Sequence, residues 1–173
     1  MVAVNWENLV HALQWYGSRG YRRVDVPWHA SRQAMMTTLA DEQRAWKLDG
    51  VGMLVGSAEQ SFIDLLMHGE LRSGRFVALT PCFRNEPQFD STHLPYFMKV
   101  ELFDTNAAPG CDFDIAMEAQ SFMASVAGIV PEIVETDIGY DLEIGGIEVG
   151  SYSSRRHGDF QWTCGTGLAE PRF

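Results

Sequence analysis

Basic residues and cysteines are scarce in this 173-residue chain, and no apolar run reaches membrane-spanning length. Lys and Arg number 13 against 23 Asp and Glu, a net charge of -10. That balance repels a polyphosphate backbone, so DNA is excluded as a partner and tRNA is disfavoured; a small anion can still bind in a local arginine pocket. Arg75, Arg84, Arg155, Arg156 and Arg172 are the candidates for such a pocket. The cysteines, Cys82, Cys111 and Cys164, are odd in number and lack C-x-x-C spacing, which excludes a disulfide framework and a zinc knuckle. They read as reduced structural thiols. The start, "MVAVNWENLV", has no basic region ahead of an apolar run, so the expectation is a cytoplasmic protein with no membrane association.

With 46% hydrophobic residues and no repeat, low-complexity tract or linker, the sequence suits one compact domain over 1–173. Asn5 is a helix cap, followed by Trp6, Leu9, Val10, Leu13 and Tyr16 at helical spacing, which predicts a helix from Trp6 to Ser18. "YRRVDVPWH" predicts a strand ending near Pro27, and "SRQAMMTTLADEQ" a helix. Two short strands surround Asp49-Gly50, a tight-turn dipeptide. "SAEQSFIDLLMHGEL" predicts a Ser-capped helix, and residues 112–127 a helix with a broad apolar side. Strands are predicted at "RFVALTPCF", "PYFMKVELF", "EIVET", "YDLEI", "IEVGSYS" and "DFQWTCG", with Gly145-Gly146 as a hairpin turn. Strand following strand through short turns indicates an α+β fold, an antiparallel sheet flanked by helices.

The stretch "TPCFRNEPQFDSTHLPYFMKVELF" carries the chemistry. On paired antiparallel strands, Arg84 and Glu86 share a face, and Phe97, Lys99 and Glu101 share one on the returning strand. A guanidinium can fork onto phosphate oxygens, a carboxylate can accept from an amine, and an aromatic ring can stack on a base. Taken alone, these residues divide evenly between a ligand grip and an exposed, ion-paired hairpin.

That stretch resembles motif 2 of the class II aminoacyl-tRNA synthetases, with F-R-x-E followed by the F-x-K-x-E of the seryl enzymes. "STHLPYF" is also similar to the phenylalanyl enzymes. The first helix with "GYRRVDVP" resembles motif 1, the dimer-building unit, and "VGSAEQSF" resembles the seryl T-x-E loop with Ser57 in place of Thr. "YDLEIGGIEVGSYSS" resembles the seryl Y-D-I-E and E-x-x-S-x-S segment, and "GTGLAEPRF" resembles motif 3. These segments occur in the family's order across nearly the whole chain.

The resemblance implies ATP and Mg2+ as cofactors and an amino acid as substrate. By it, Arg84 contacts the α-phosphate, Glu86 holds adenine and the motif 2 loop, and Phe97 stacks on adenine. Arg172 closes the other adenine face and reaches the γ-phosphate, where His93 is a further contact. Glu59 and Glu101 face the amino acid's ammonium, and Glu148 with Ser151 ligates magnesium. The run Arg155-Arg156-His157 is read as an exposed charge run outside the core site. A zinc site at Cys82, Glu101 and Cys164, known from atypical seryl enzymes and amino acid:carrier-protein ligases, is disfavoured, because Ser57-Ala58-Glu59 stands where the first cysteine belongs.

By the same resemblance the chain is a homodimer and serine ranks first among the amino acids; the family's complete enzymes append an anticodon-binding domain, for which 173 residues are expected to leave no room. The short motif 2 loop and the acidic balance argue against tRNA as acceptor and leave a carrier protein as another. Three readings stay open: an amino acid-adenylating enzyme, a non-catalytic sensor of ATP or amino acid, and a structural dimer subunit.

Overall fold

A computed structural model describes residues 3–89, 94–171 and 173. Asn5 caps α1 (Trp6–Gly17), its side chain accepting from the Asn8 N–H at 3.2 Å. Leu9, Ala12, Leu13 and Tyr16 form the buried face of that helix. The expected strand after it is divided. Only β1 (Arg22–Arg23) and β2 (His29–Ala30) form, with Pro27 between them, a residue with no N–H to offer a ladder.

The expected helix over "SRQAMMTTLADEQ" is reduced to α2 (Arg32–Met35) and a 3-10 turn at Glu42–Arg44. Two consecutive threonines end it: Thr37 Oγ1 donates back to the Ala34 carbonyl at 2.7 Å, and Thr38 Oγ1 accepts from Gln60 at 2.9 Å. β3 (Lys47–Leu48) and β4 (Gly52–Leu54) flank Asp49-Gly50 as expected. Next comes α3 (Ala58–Met67), where Ser57 and Gln60 make a reciprocal capping box.

The larger sheet is built from β5 (Arg75–Phe83), β6 (Tyr96–Asp104), β7 (Glu132–Thr136), β8 (Gly139–Ile144), β9 (Ile147–His157) and β10 (Phe160–Glu170), joined by β1. Its order is β1-β5-β6-β10-β9-β8-β7, antiparallel at every pair except β1 with β5. A small second sheet has the order β2-β4-β3. Pro81 is tolerated within β5 because the two-residue β1 does not extend that far. At the same edge, Phe83 sends its N–H to the Val55 carbonyl rather than to β6.

Helices cover both faces of the large sheet. On one face α1 and α4 (Cys111–Ala127) bury Tyr16, Ile115, Phe122 and Met123 against Val100, Leu102, Tyr152 and Leu168. On the other, α3 and the small sheet bury Phe62, Ile63, Met53 and Val55 against Phe76, Phe103 and Trp162. The architecture is the α+β arrangement that the alternation of elements predicts.

Two bulges decide which side chains share the second face. In β10, Thr166 pairs with Glu101 and Leu168 with Val100, so Gly167 is an extra residue and Ala169 falls opposite Lys99. Gly167 is needed there: a Cβ would sit 2.8 Å from a Tyr16 ring carbon, and its carbonyl accepts the Tyr16 hydroxyl at 2.9 Å. In β9, Gly150 pairs with Leu142 and Glu148 with Glu143, so Val149 is extra.

Candidate active site

Beyond α3, the second sheet face opens into a cavity of about 250 Å³. Its walls come from the α3 cap (Ser57, Glu59, Gln60), the end of β5 (Arg84), β6 (Phe97, Lys99), β9 (Glu148, Ser151, Arg155) and β10 (Thr166, Ala169). Arg84, Phe97, Glu59, Glu148 and Ser151, dispersed along the chain, therefore line one space. The Arg84 guanidinium lies 5.6 Å from the Phe97 ring centroid, within range of a cation-π attraction. Gly56 permits this placement, since a Cβ there would run into the Arg84 guanidinium.

Glu59 sits in the first turn of α3, with its carboxylate turned into the protein. Its Oε1 accepts from Trp162 Nε1 at 2.8 Å and from the Cys164 thiol at 3.1 Å, while Arg155 Nη1 lies 3.5 Å from Oε2. Glu101 is buried beneath Lys99, whose Nζ is 2.9 Å from its Oε2. Burial raises the Glu101 pKa; the Lys99 charge opposes that rise and the Glu59 charge adds to it. Burial works against the Lys99 ammonium, but the Glu101 charge and hydrogen bond, with smaller contributions from Cys82 and Cys164, raise the Lys99 pKa on balance. Burial also pushes Cys82 up to about 11 and Cys164 well above the ordinary thiol range, so both are neutral thiols at neutral pH.

Glu86 takes a different direction from Arg84. β5 ends at Phe83, and Asn85 is tied to the preceding loop by its N–H to the Arg44 carbonyl and by its side chain to the Gln43 carbonyl at 2.7 Å. Glu86 pairs with Arg44 and lines an adjoining cavity of about 360 Å³. Leu39 and Arg84 belong to both cavities. His93 and Arg172 lie outside the described residues.

The reading of Arg155-Arg156-His157 as one exposed run requires correction. Arg155 lines the cavity, paired with Glu59, whereas Arg156 stays exposed. Period-2 alternation from Ser151 through Ser153 to Arg155 carried that signal. Lys99 is a second cavity cation absent from the expected set, although it alternates with Phe97 and Glu101.

The donor set fits a nucleotide and a hard cation. Each cavity alone is near the low end of ligand sites, roughly 300–1,000 Å³, and together they lie within that range, with Arg84 at the junction. Arg84 and Lys99 suit phosphate oxygens, Phe97 offers a flat face, and the Glu148 carboxylate with the Ser151 hydroxyl offers oxygens suited to magnesium. Among the described residues no cluster of three His, Cys, Asp or Glu side chains suits a metal.

The fold is similar to that of solved aminoacyl-tRNA synthetases. A pyrrolysyl-tRNA synthetase from Desulfitobacterium hafniense superposes with a TM-score of 0.72 at 19% identity, over 94% of this chain and 64% of that one. A seryl-tRNA synthetase from Pyrococcus horikoshii, solved with ATP, superposes at 0.73 and 20% identity, over 94% of this chain and 47% of that one. The cytoplasmic serine-tRNA ligase of Naegleria fowleri, solved with AMP, gives 0.70 and 16%, over 95% and 52%. The chain thus spans about half to two thirds of the length of these structures. No protein-family model and no curated protein sequence matches it.

Proposed function

We propose that the protein activates an amino acid with ATP, forming an aminoacyl-adenylate and pyrophosphate. The observation that carries this reading is the convergence of Arg84, Phe97, Glu59, Glu148 and Ser151 on one cavity, on a fold shared with synthetases solved with ATP and AMP. An oxygen of the amino acid carboxylate attacks the α-phosphorus, the bond to the bridging oxygen breaks, and pyrophosphate leaves with the electron pair. No side-chain nucleophile is required. The protein aligns two anions and offsets the charge that develops on phosphorus oxygens.

In this reading Arg84 meets the α-phosphate and Phe97 stacks on the base, with His93 and Arg172 as further nucleotide contacts. Glu86 acts from the adjoining cavity through Arg44. Glu59 supplies the negative end of the amino acid site from the cavity wall, and Glu101 acts on it from beneath Lys99. Glu148 and Ser151 hold Mg2+, which supplies charge neutralisation on the phosphates when bound. Residues 1–173 act as one catalytic unit of seryl-type organisation, located in the cytoplasm, with a carrier protein or tRNA as acceptor. A homodimer is supported by an apolar hollow in which exposed Trp6, Trp28 and Tyr96 surround the less exposed Leu79, Phe83 and Met98. A light-scattering mass equal to one chain contradicts the dimer.

Amino acid-dependent ATP-pyrophosphate exchange, screened across the standard amino acids with Mg2+, tests the proposal. Exchange stimulated by one amino acid or a few supports it. Nucleotide binding without exchange removes the enzyme and leaves a sensor; no nucleotide binding leaves a structural subunit.

A further inference from the structure

Arg155 is held and aimed, yet its contact with Glu59 is loose. Its Nε donates to Ser153 Oγ at 2.9 Å, which fixes the guanidinium plane. Its Nη1 then stops 3.5 Å from Glu59 Oε2, beyond the roughly 2.7–2.9 Å of a charge-assisted hydrogen bond. Glu59 already has two closer donors on its other oxygen, from Trp162 and Cys164. Lys99, another cation lining the cavity, is paired with Glu101 at 2.9 Å.

Arg84 enters the same cavity from β5, three places from β9 in the order β5-β6-β10-β9. At about 4.8 Å between neighbours, those strands lie about 14 Å apart. Two guanidiniums therefore line the one cavity, and among the described residues it is Arg155 that is ion-paired with Glu59.

We propose that Arg155 holds a carboxylate on the substrate's side chain, so that the amino acid this site takes is acidic. The inference rests on the amino acid-activating reading above. An ammonium at Glu59, a side-chain carboxylate on the Arg155 fork and the reacting α-carboxylate toward Arg84 suit the three charged groups of aspartate or glutamate. A hydroxymethyl side chain gives the fork no anion, so aspartate or glutamate displaces serine from the first rank. A site built to pair a charged group discriminates strongly against ligands that lack it.

The test is equilibrium binding of radiolabelled aspartate, glutamate, serine and alanine to the full chain without nucleotide, for the wild type, Arg155→Gln and Arg155→Lys, alongside pyrophosphate exchange. The expected result is aspartate or glutamate bound at least about tenfold tighter than serine. Arg155→Gln erases that ratio and Arg155→Lys keeps part of it. A ratio unchanged in Arg155→Gln, with only a lowered unfolding temperature, assigns Arg155 a structural role and overturns the inference. If Arg155→Gln does not fold, the wild-type ratio decides. Acidic amino acid binding without exchange sinks catalysis and leaves the inference standing. Exchange driven by serine and not by aspartate or glutamate does the reverse, and binding of none of the four overturns the inference while the full exchange screen decides the activating reading.

Discussion

Glu148 and Ser151 stand three residues apart on β9 and still line the same cavity, because Val149 is an extra residue in the pairing with β8. On a regular strand an odd separation sends two side chains to opposite faces. The bulge re-aims one of them, a use of bulges found beside many active sites. If the pair holds magnesium, Glu148→Ala will raise the Mg2+ concentration for half-maximal exchange by about tenfold or more, the scale on which even outer-shell losses act. An unchanged Mg2+ requirement would remove Glu148 from the metal site.

Arg84→Ala should lower pyrophosphate exchange by about 10²-fold or more, the cost of removing one preorganised transition-state donor. The side chain is half-buried at the cavity rim, so the unfolding midpoint should stay close to wild type. Retained exchange would show that Arg84 does not touch the reacting phosphate.

Trp162→Phe deletes the indole N–H that Glu59 Oε1 accepts at 2.8 Å, in a place without ready access to water. A hydrogen bond to a charged group contributes about 1.5–3 kcal/mol, and a loss of that order in urea unfolding is expected. No loss would mean that the Cys164 thiol and Arg155 suffice for this carboxylate.

Gly167→Ala places a methyl group 2.8 Å from the Tyr16 ring and 3.0 Å from Val100 Cγ1, where α1 meets β10. Overpacking of this kind costs about 1–3 kcal/mol. At roughly 2–4 °C per kcal/mol for a chain of this size, calorimetry should show a clear fall in Tm.

Glu170 is buried at the end of β10, accepting from Asn8 Nδ2 at 3.0 Å, and burial raises its pKa above the ordinary carboxylate value. Such a group binds its proton more readily folded than unfolded. Its stability contribution is therefore complete below the unfolded carboxylate pKa and is lost as pH rises through the higher folded value. Glu170→Gln should flatten the fall in stability across that acidic window and make the protein more stable than wild type at neutral pH. Parallel wild-type and variant curves from pH 4 to 8 would show that Glu170 is not the group responsible.

The sequence was most legible where local chemistry acts by itself. Asn5 and Ser57 cap the helices expected of them, β5 and β6 run where alternation placed them, and Gly145-Gly146 turns β8 into β9. Phe97, Lys99 and Glu101 follow from parity because β6 is regular across them. β10 was harder to bound. It is the central strand between β6 and β9, buried on both faces from Trp162 to Glu170, so its sequence carries little alternation, and the strand runs on past "DFQWTCG" through "GTGLAE".

Parity failed where the backbone departs from a regular strand. Arg84 and Glu86 diverge because β5 stops at Phe83 and Asn85 clips the chain to Gln43 and Arg44, a pairing of segments about forty residues apart that no local pattern announces. Arg155 and Arg156 are adjacent and chemically alike, yet one enters the cavity and the other faces solvent.

Composition, caps and hydrophobic period thus determined the kinds of element and much of their extent, because those depend on neighbours within a few residues. Only tertiary structure decided that a bulge at Val149 unites Glu148 with Ser151, that Trp162 and Cys164 hold Glu59, and that Arg155 and Arg84, on strands three places apart in the sheet order, line one cavity. Those placements depend on strand order and register, which arise from packing between distant segments.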